Sequence, residues 1–282
     1  VKKRNLSKRQ IFYHDINRTT IESDGYYYVD DLGETTLRHG RWRFYDTEGA
    51  LVEERNYYKN DLHGKVVRYF TNGQIESEGY FEIGKQDSIY KEFYVDGDLK
   101  EKGYYNEDQP TGEWEYYYRD GRLKMKEEIV DSTSFVWEFY LPDSLHTQTI
   151  IEGNGEMMTY YTNGKLKEWY NYKDGLKHGD FEEGSVHGYY LLKGSFKENK
   201  PHGKWEYFYY TSDLEKVSNY VDGQLQGEYR YYYDNGQVNV EGQFSEGAKS
   251  GEWSWYTNSG GLDMQGNFKD GKQHGKWVYY FP

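Results

Sequence analysis

Histidines are the first residues to weigh for chemistry, because five of the eight share one position in a recurring pattern. His39, His63, His178, His202 and His274 each stand immediately before a glycine. A zinc ion needs three or four ligands at ~2.1 Å from one point. If each copy of the pattern is a hairpin, equivalent positions in successive copies lie roughly 10 Å apart, and such a row cannot close on a metal. His14, His146 and His187 show no ligand spacing. The acids are also repeat-locked. Asp174, Asp222 and Asp270 precede Gly175, Gly223 and Gly271 and read as turn formers, whereas a calcium loop draws several oxygens from one contiguous segment. The chain has no cysteine, which removes thiol chemistry and disulfides. No nucleophile–base arrangement, P-loop or dinucleotide fingerprint is present. The expectation is a protein without catalytic residues, metal or cofactor.

The elements that place these residues follow from a period of 24. Gly40, Gly64, Ser88 and Gly112 open one series, and Gly155, Gly179, Gly203, Gly227, Gly251 and Gly275 open a second. Nine residues after most of these starts comes another glycine, as at Gly49, Gly73, Gly97, Gly121, Gly164, Gly188, Gly236 and Gly260. Such a period signals stacked copies of one unit rather than a single closed core. In the unit at Gly227, two aromatic-rich runs flank Asn235-Gly236, which predicts a β-hairpin closed by a two-residue type I′ turn. That register sets Tyr233 against Val238, Tyr231 against Val240, Tyr229 against Gly242 and Gly227 against Phe244. In the next unit Trp253 meets Gly266, so that a ring shields a strand glycine. The other face then pairs Arg43 with Glu54, Glu115 with Lys126 and Arg230 with Glu241. Lys91 against Lys102 is a like-charge pair that opposes the same register.

Composition agrees with a thin sheet. Aromatics make up 20% of 282 residues, with 34 tyrosines, and mean hydropathy is −1.11. Amphipathic rings can coat a sheet that has too few aliphatic residues for an ordinary core. The fold class expected is all-β: an elongated, twisted antiparallel meander of tandem hairpins, largely single-layered and irregular near 127–154. Residues 1–39 read as a diverged capping repeat, with strands over 12–16 and 21–28, and 40–134 as regular repeats. The stretch 135–154 reads as a short repeat that introduces a bend, because Leu141-Pro142-Asp143-Ser144 replaces the glycine turn. Residues 155–282 resume the repeat and finish on a half-unit. The net charge of −13 argues against nucleic acid and anionic membranes as partners. The basic head Lys2, Lys3, Arg4, Lys8 and Arg9 reads as a frayed, solvated terminus. No run approaches the ~20 apolar residues of a membrane helix.

Two surfaces are candidates for binding. Tyr45, Tyr69, Phe93, Tyr117, Tyr140, Tyr160, Phe208, Tyr232, Tyr256 and Tyr280 hold one position on the face opposite the tryptophans. They form a ladder suited to an extended protein or, by ring stacking, a glycan. Lys276, Trp277, Val278, Tyr279, Tyr280 and Phe281 form a last strand whose outer edge is open to pairing or oligomerisation.

The phrases DGKQHGKWVYY (Asp270 to Tyr280) and PHGKWEYFY (Pro201 to Tyr209) resemble the MORN repeat. They are similar in particular to the repeat variant of the antitoxin-like proteins of the bacterial YwqK family. The resemblance covers about residues 40–282 and extends over 10–39, with departures from the pattern at Phe135 and Gly179. It implies hairpin sheets that serve as interaction or scaffolding modules, some touching lipid, and its family name implies an antitoxin. The expectation is a non-catalytic scaffold with a protein partner in a larger, cell-envelope complex. A glycan-binding module and an antitoxin are the alternatives. The initial valine and the absence of cysteine favour export over the cytoplasm, with a processed precursor.

Overall fold

The computed structural model describes residues 5–281. Among these every regular element is a β-strand, no helix occurs, and successive strands pair antiparallel as a meander. The chain divides into two units. One comprises the chain up to Phe135 with 142–147; the other comprises 136–141 with the chain from Gln148 onward. Lys2, Lys3, Arg4 and Pro282 lie outside the described residues.

The expected strand register is present. Gly227 pairs with Phe244, Tyr229 with Gly242 and Tyr231 with Val240. The turn differs from the expectation: Val238 faces Tyr232, not Tyr233. Gly236 is left-handed (φ 80°) while Asn235 is not, and the Gly236 amide donates to the Tyr233 carbonyl (2.9 Å). This is a type I turn followed by a glycine bulge, the three-residue solution for a hairpin. The two-residue type I′ geometry closes the other turn, between units. Asp222-Gly223 (φ 48° and 88°) and Asp270-Gly271 (φ 49° and 75°) both lie in the left-handed region. Asn-Gly suits either turn, so its position alone does not decide between them.

Glycine at the start of each unit has its own task. Gly251 is left-handed (φ 67°) and sits in a bulge. Between the pairs Glu241–Ser254 and Gln243–Ser250, three residues of the later strand face Gly242 alone. The Trp253 ring fills that gap. A Cβ on Gly242 would lie 2.2 Å from it, and the same holds for Gly266 under Trp277. Trp253 does pair with Gly266, but it shields the glycine of the preceding strand, which corrects the expected cover. Equivalent covers join Trp42 to Gly25, Trp114 to Gly103 and Trp205 to Gly194.

Packing on this face is by rings. In the second unit, Phe244 meets Trp253 edge-on at 5.2 Å, and Trp255 tilts over Trp277 at 5.6 Å. In the first, Tyr105 meets Trp114 edge-on at 5.3 Å. Trp42, Trp114, Trp205 and Trp253 are buried, and a cation lies over two of them, Arg38 4.9 Å from the Trp42 ring and Lys249 Nζ 4.2 Å from the Trp253 ring. Edge-to-face and cation–π contacts contribute about 0.5–1.5 kcal/mol each beyond area burial.

The opening segment departs from the expected strands. Gln10–Tyr13 pairs with Ile21–Gly25, and residues 14–16 belong to the turn between them. The connection over 30–38 is itself part of a two-stranded sheet, Tyr27–Asp30 with Gly33–Arg38. Arg9 is not frayed: its guanidinium binds Asp24 at 2.6 Å. Near the boundary between units the strands shorten, Gln148–Ile151 having four residues.

Candidate interaction surface

The ladder positions share their face with the ion pairs. Tyr45 donates its hydroxyl to Asp24 (3.0 Å), Tyr140 to Glu138 (2.7 Å) and Tyr256 to Glu241 (2.8 Å); Tyr117 donates to Glu115. Tyr160 reaches only the Met158 sulfur at 3.4 Å. Phe93 and Phe208 pair with Leu99 and Leu214, and Tyr69 and Tyr232 with Ile75 and Val238. The rings are half-buried except Tyr160 and Tyr280, which are exposed. Hydroxyls already donated to carboxylates on the same sheet are not free for a ligand without exchange.

Lys91 and Lys102 do face each other, and the conflict disappears in the neighbouring strands. Lys91 binds Glu78 (3.5 Å), while Lys102 binds Glu115 (2.8 Å), which also meets Lys126 at 3.8 Å. Burial pushes Glu115 and Glu78 upward, but hydrogen bonds from Lys102 and Tyr117 to Glu115, and from Lys65 with Lys91 to Glu78, outweigh it, so both carboxyls lie below their usual range.

On the tryptophan face of the first unit, Glu92 and Glu101 are direct partners. Burial raises the Glu101 carboxyl, and the Glu92 charge adds to the effect. Glu92 is held by Lys100 (2.5 Å) and Tyr90 (3.3 Å), and Glu127 by Tyr116 (2.6 Å) and Ser134. These carboxylates are bonded to their own sheet, and among the described residues no group of His, Asp or Glu converges as metal ligands.

The histidine row has a turn role in part. The ring nitrogens of His39 and His202 accept the amides of Lys59 and Asp222. His39 is sandwiched between Tyr28 and Tyr58 at 5.2 and 5.3 Å, where burial lowers its pKa, with Lys59 adding to the effect.

Sequence reasoning missed the cross-links between repeats. Tyr94, Tyr209 and Tyr233 donate to the carbonyls of Tyr117, Tyr232 and Tyr256, each 23 residues on (2.6–2.9 Å). Asn72, Asn163 and Asn235 do the same to Val95, Val186 and Asn258. At the type I′ turns, Gly223, Gly247 and Gly271 donate backbone amides to Pro201, Leu225 and Lys249. Where Asn or Asp replaces that glycine, its side chain accepts a return bond, as with Lys177 N to Asn199 (2.8 Å) and Gln86 N to Asp108 (2.6 Å). The recurrence of Tyr and Asn at fixed repeat positions was the available signal.

Within Lys272–Tyr279, hydrogen bonding runs to Leu262–Lys269 alone among the described residues. Lys276 is exposed, Trp277 and Val278 are half-buried, and Tyr279 (58%), Tyr280 (43%) and Phe281 (89%) carry the exposed apolar surface here. Trp277 packs on Trp255 and Phe268. Among the described residues no helix is long and apolar enough to cross a membrane.

No curated protein matches the chain. Solved structures that resemble it include the crystal structure of TcdB2–TccC3 with Cdc42, at 12% identity over 97% of this chain and 16% of that one (TM-score 0.19). Another is the Photorhabdus luminescens Tc holotoxin pore, at 11% identity over 88% and 16% (TM-score 0.19). The chain spans about a sixth of the length of these structures. The family model described as "MORN repeat variant" matches residues 38–60, 62–82, 110–131, 154–174, 225–246 and 249–270. Each matched segment contains hairpin strands of the 24-residue unit, and the chain therefore carries MORN-variant repeats.

Proposed function

We propose that the chain is a non-catalytic repeat scaffold that binds another protein as a subunit of a larger, cell-envelope assembly. The observation that carries this reading is the contrast between the two candidate surfaces. On the ladder face Tyr45, Tyr117, Tyr140 and Tyr256 donate to carboxylates of their own sheet, whereas Tyr279, Tyr280 and Phe281 are exposed. Exposed aromatic rings of this kind suit a protein interface. Affinity purification of the tagged chain from its native cells tests the proposal. One stoichiometric protein is expected, retained by Tyr160→Ser and lost from the double variant Tyr279→Ser, Phe281→Ser. Recovery of no stoichiometric protein would defeat it. The glycan alternative draws on the exposed Tyr160 ring alone, and the antitoxin alternative on the repeat resemblance alone.

A further inference from the structure

Four carboxylates of the ladder face are matched by cations of the same sheet. Glu78 binds Lys65 (2.5 Å), Glu115 binds Lys102 (2.8 Å), Glu182 binds Lys193 (3.2 Å) and Glu241 binds Arg230 (2.9 Å). One hairpin of the second unit departs from this arrangement. In the positions held later by Arg230 and Glu241 stand Met158 and Trp169, which pair directly. The Tyr160 hydroxyl reaches the Met158 sulfur at 3.4 Å, and Trp169 pairs on its other side with Glu182. Trp169 is therefore a tryptophan on the face opposite that of Trp205 and Trp253.

The two faces treat an indole differently. Trp205 and Trp253 are buried and packed edge-on by Phe196 and Phe244. Trp169 is only half-buried, and among the described residues no ring packs on it and no cation lies over it. Its Nε1 donates to the Glu156 carboxylate (3.2 Å), and among the described residues no cation binds Glu156. An indole face, the carboxylate bonded to its edge and a second carboxylate on the adjoining strand, Glu182, thus stand together where the repeat elsewhere supplies a cation.

A guanidinium is the group that meets all of these. It stacks on an indole, donates through two nitrogens to one carboxylate, and is more weakly hydrated than an ammonium. The methylene stem that carries it covers Met158, whose unbranched thioether adapts to such contact. The protein builds the same arrangement for itself elsewhere: the Arg55 guanidinium lies 4.7 Å from the Phe44 ring while bonding Glu53 at 2.6 Å. We propose that the ladder face at Met158–Trp169 is a docking point for an arginine side chain of another polypeptide, stacked on Trp169 and paired with Glu156. Charge complementarity identifies the occupant. The arginine restores the cation this hairpin lacks, and a net charge of −13 draws a basic segment toward the sheet. The site is separate from the exposed rings at 279–281 and holds whatever binds there.

The test follows the indole N–H signals of the eight tryptophans in the nitrogen-15 NMR spectrum of the 282-residue chain, with Trp169 assigned from Trp169→Phe. The probe is the peptide acetyl-Gly-Gly-Arg-Gly-Gly-amide, titrated at low ionic strength. A saturable shift of the Trp169 signal is expected, with the other indoles unmoved. Binding should weaken at least about fivefold when citrulline replaces the arginine, and likewise in Glu156→Gln, whose remaining indole signals report an intact fold. Equal binding in either case, a shift confined to other indoles, or no saturable shift would overturn the proposal. Tetramethylammonium acting as strongly as the peptide would assign the indole to small organic cations instead. A Trp169 shift on concentrating the protein alone would assign it to a second copy. Both of these outcomes also overturn the proposal, and neither bears on a partner held through Tyr279 and Phe281.

Discussion

Ile83 and Ser88 are among the non-glycine residues that the repeat holds in the left-handed region. Ile83 occupies the first central position of a type I′ turn at φ 48°, and Ser88 holds the unit-start position at φ 68°. A β-branched side chain in the left-handed region is a steric outlier costing about 1–2 kcal/mol, and Asn tolerates that region far better. Because Ile83 is exposed, Ile83→Asn loses little burial and should stabilise by about 1 kcal/mol, read as a higher urea midpoint at unchanged slope. An unchanged or lowered midpoint would refute the strain. Asp24 presents the opposite case. It is buried, with Arg9, Arg43 and the Tyr45 hydroxyl upon it. Burial pushes its carboxyl up, but the three donors outweigh it and the net shift is downward. A depressed carboxyl contributes stability that is present above the unfolded value of about 3.9 and is lost as pH falls through the folded value. Asp24→Asn should therefore cost about 3 kcal/mol at pH 7, and the gap from the unsubstituted protein should narrow below pH 4. A pH-independent gap would show that shape rather than charge matters there.

Strand pairing places the next effect between elements. Glu101 lies opposite Glu92 on the tryptophan face, with its carboxyl raised by burial and by that neighbour. A raised carboxyl favours the fold below its unfolded pKa, and that advantage disappears as pH rises through the folded value. Glu101→Gln should thus raise stability by about 0.5–1 kcal/mol at pH 8 and by nearly nothing at pH 4, measured by thermal melts at both. Equal gains at both pH values would exclude repulsion as the cause. The Glu92–Glu101 pairing was legible from the period of two along a strand, as were Arg230–Glu241 and Tyr229–Gly242. The turn type was not legible. Asn235-Gly236 and Asp270-Gly271 look alike in sequence, and what separates them is where the chain must cross from unit to unit. The destination of the ladder hydroxyls was hidden for a related reason. Glu241 and Tyr256 lie on different strands, and only the registered sheet brings them to 2.8 Å.

At the scale of the molecule, a repeat that contacts only its neighbours can be removed whole. The tryptophan covers state which removal the second unit tolerates. Excising residues 251–274 joins Ser250 to Gly275 and returns Trp277 to Gly242, a position already shaped for such a ring. Excising 227–250 instead brings Trp253 over Ser218, which is buried and paired with Tyr229. A Cβ under the ring at Gly242 would lie 2.2 Å from Trp253, so a β-carbon at 218 meets the same obstruction. Overpacking of this kind costs roughly 1–3 kcal/mol. The first deletion should unfold cooperatively without help. The second should be markedly less stable until Ser218→Gly is added, which should restore most of the loss. Denaturation of the three proteins, followed by tryptophan fluorescence, decides the matter. If Ser218→Gly gives no rescue, the ring-over-glycine cover is not what fixes the spacing between repeats, and the inter-repeat hydrogen bonds of Tyr209, Tyr233 and Asn235 must set it instead.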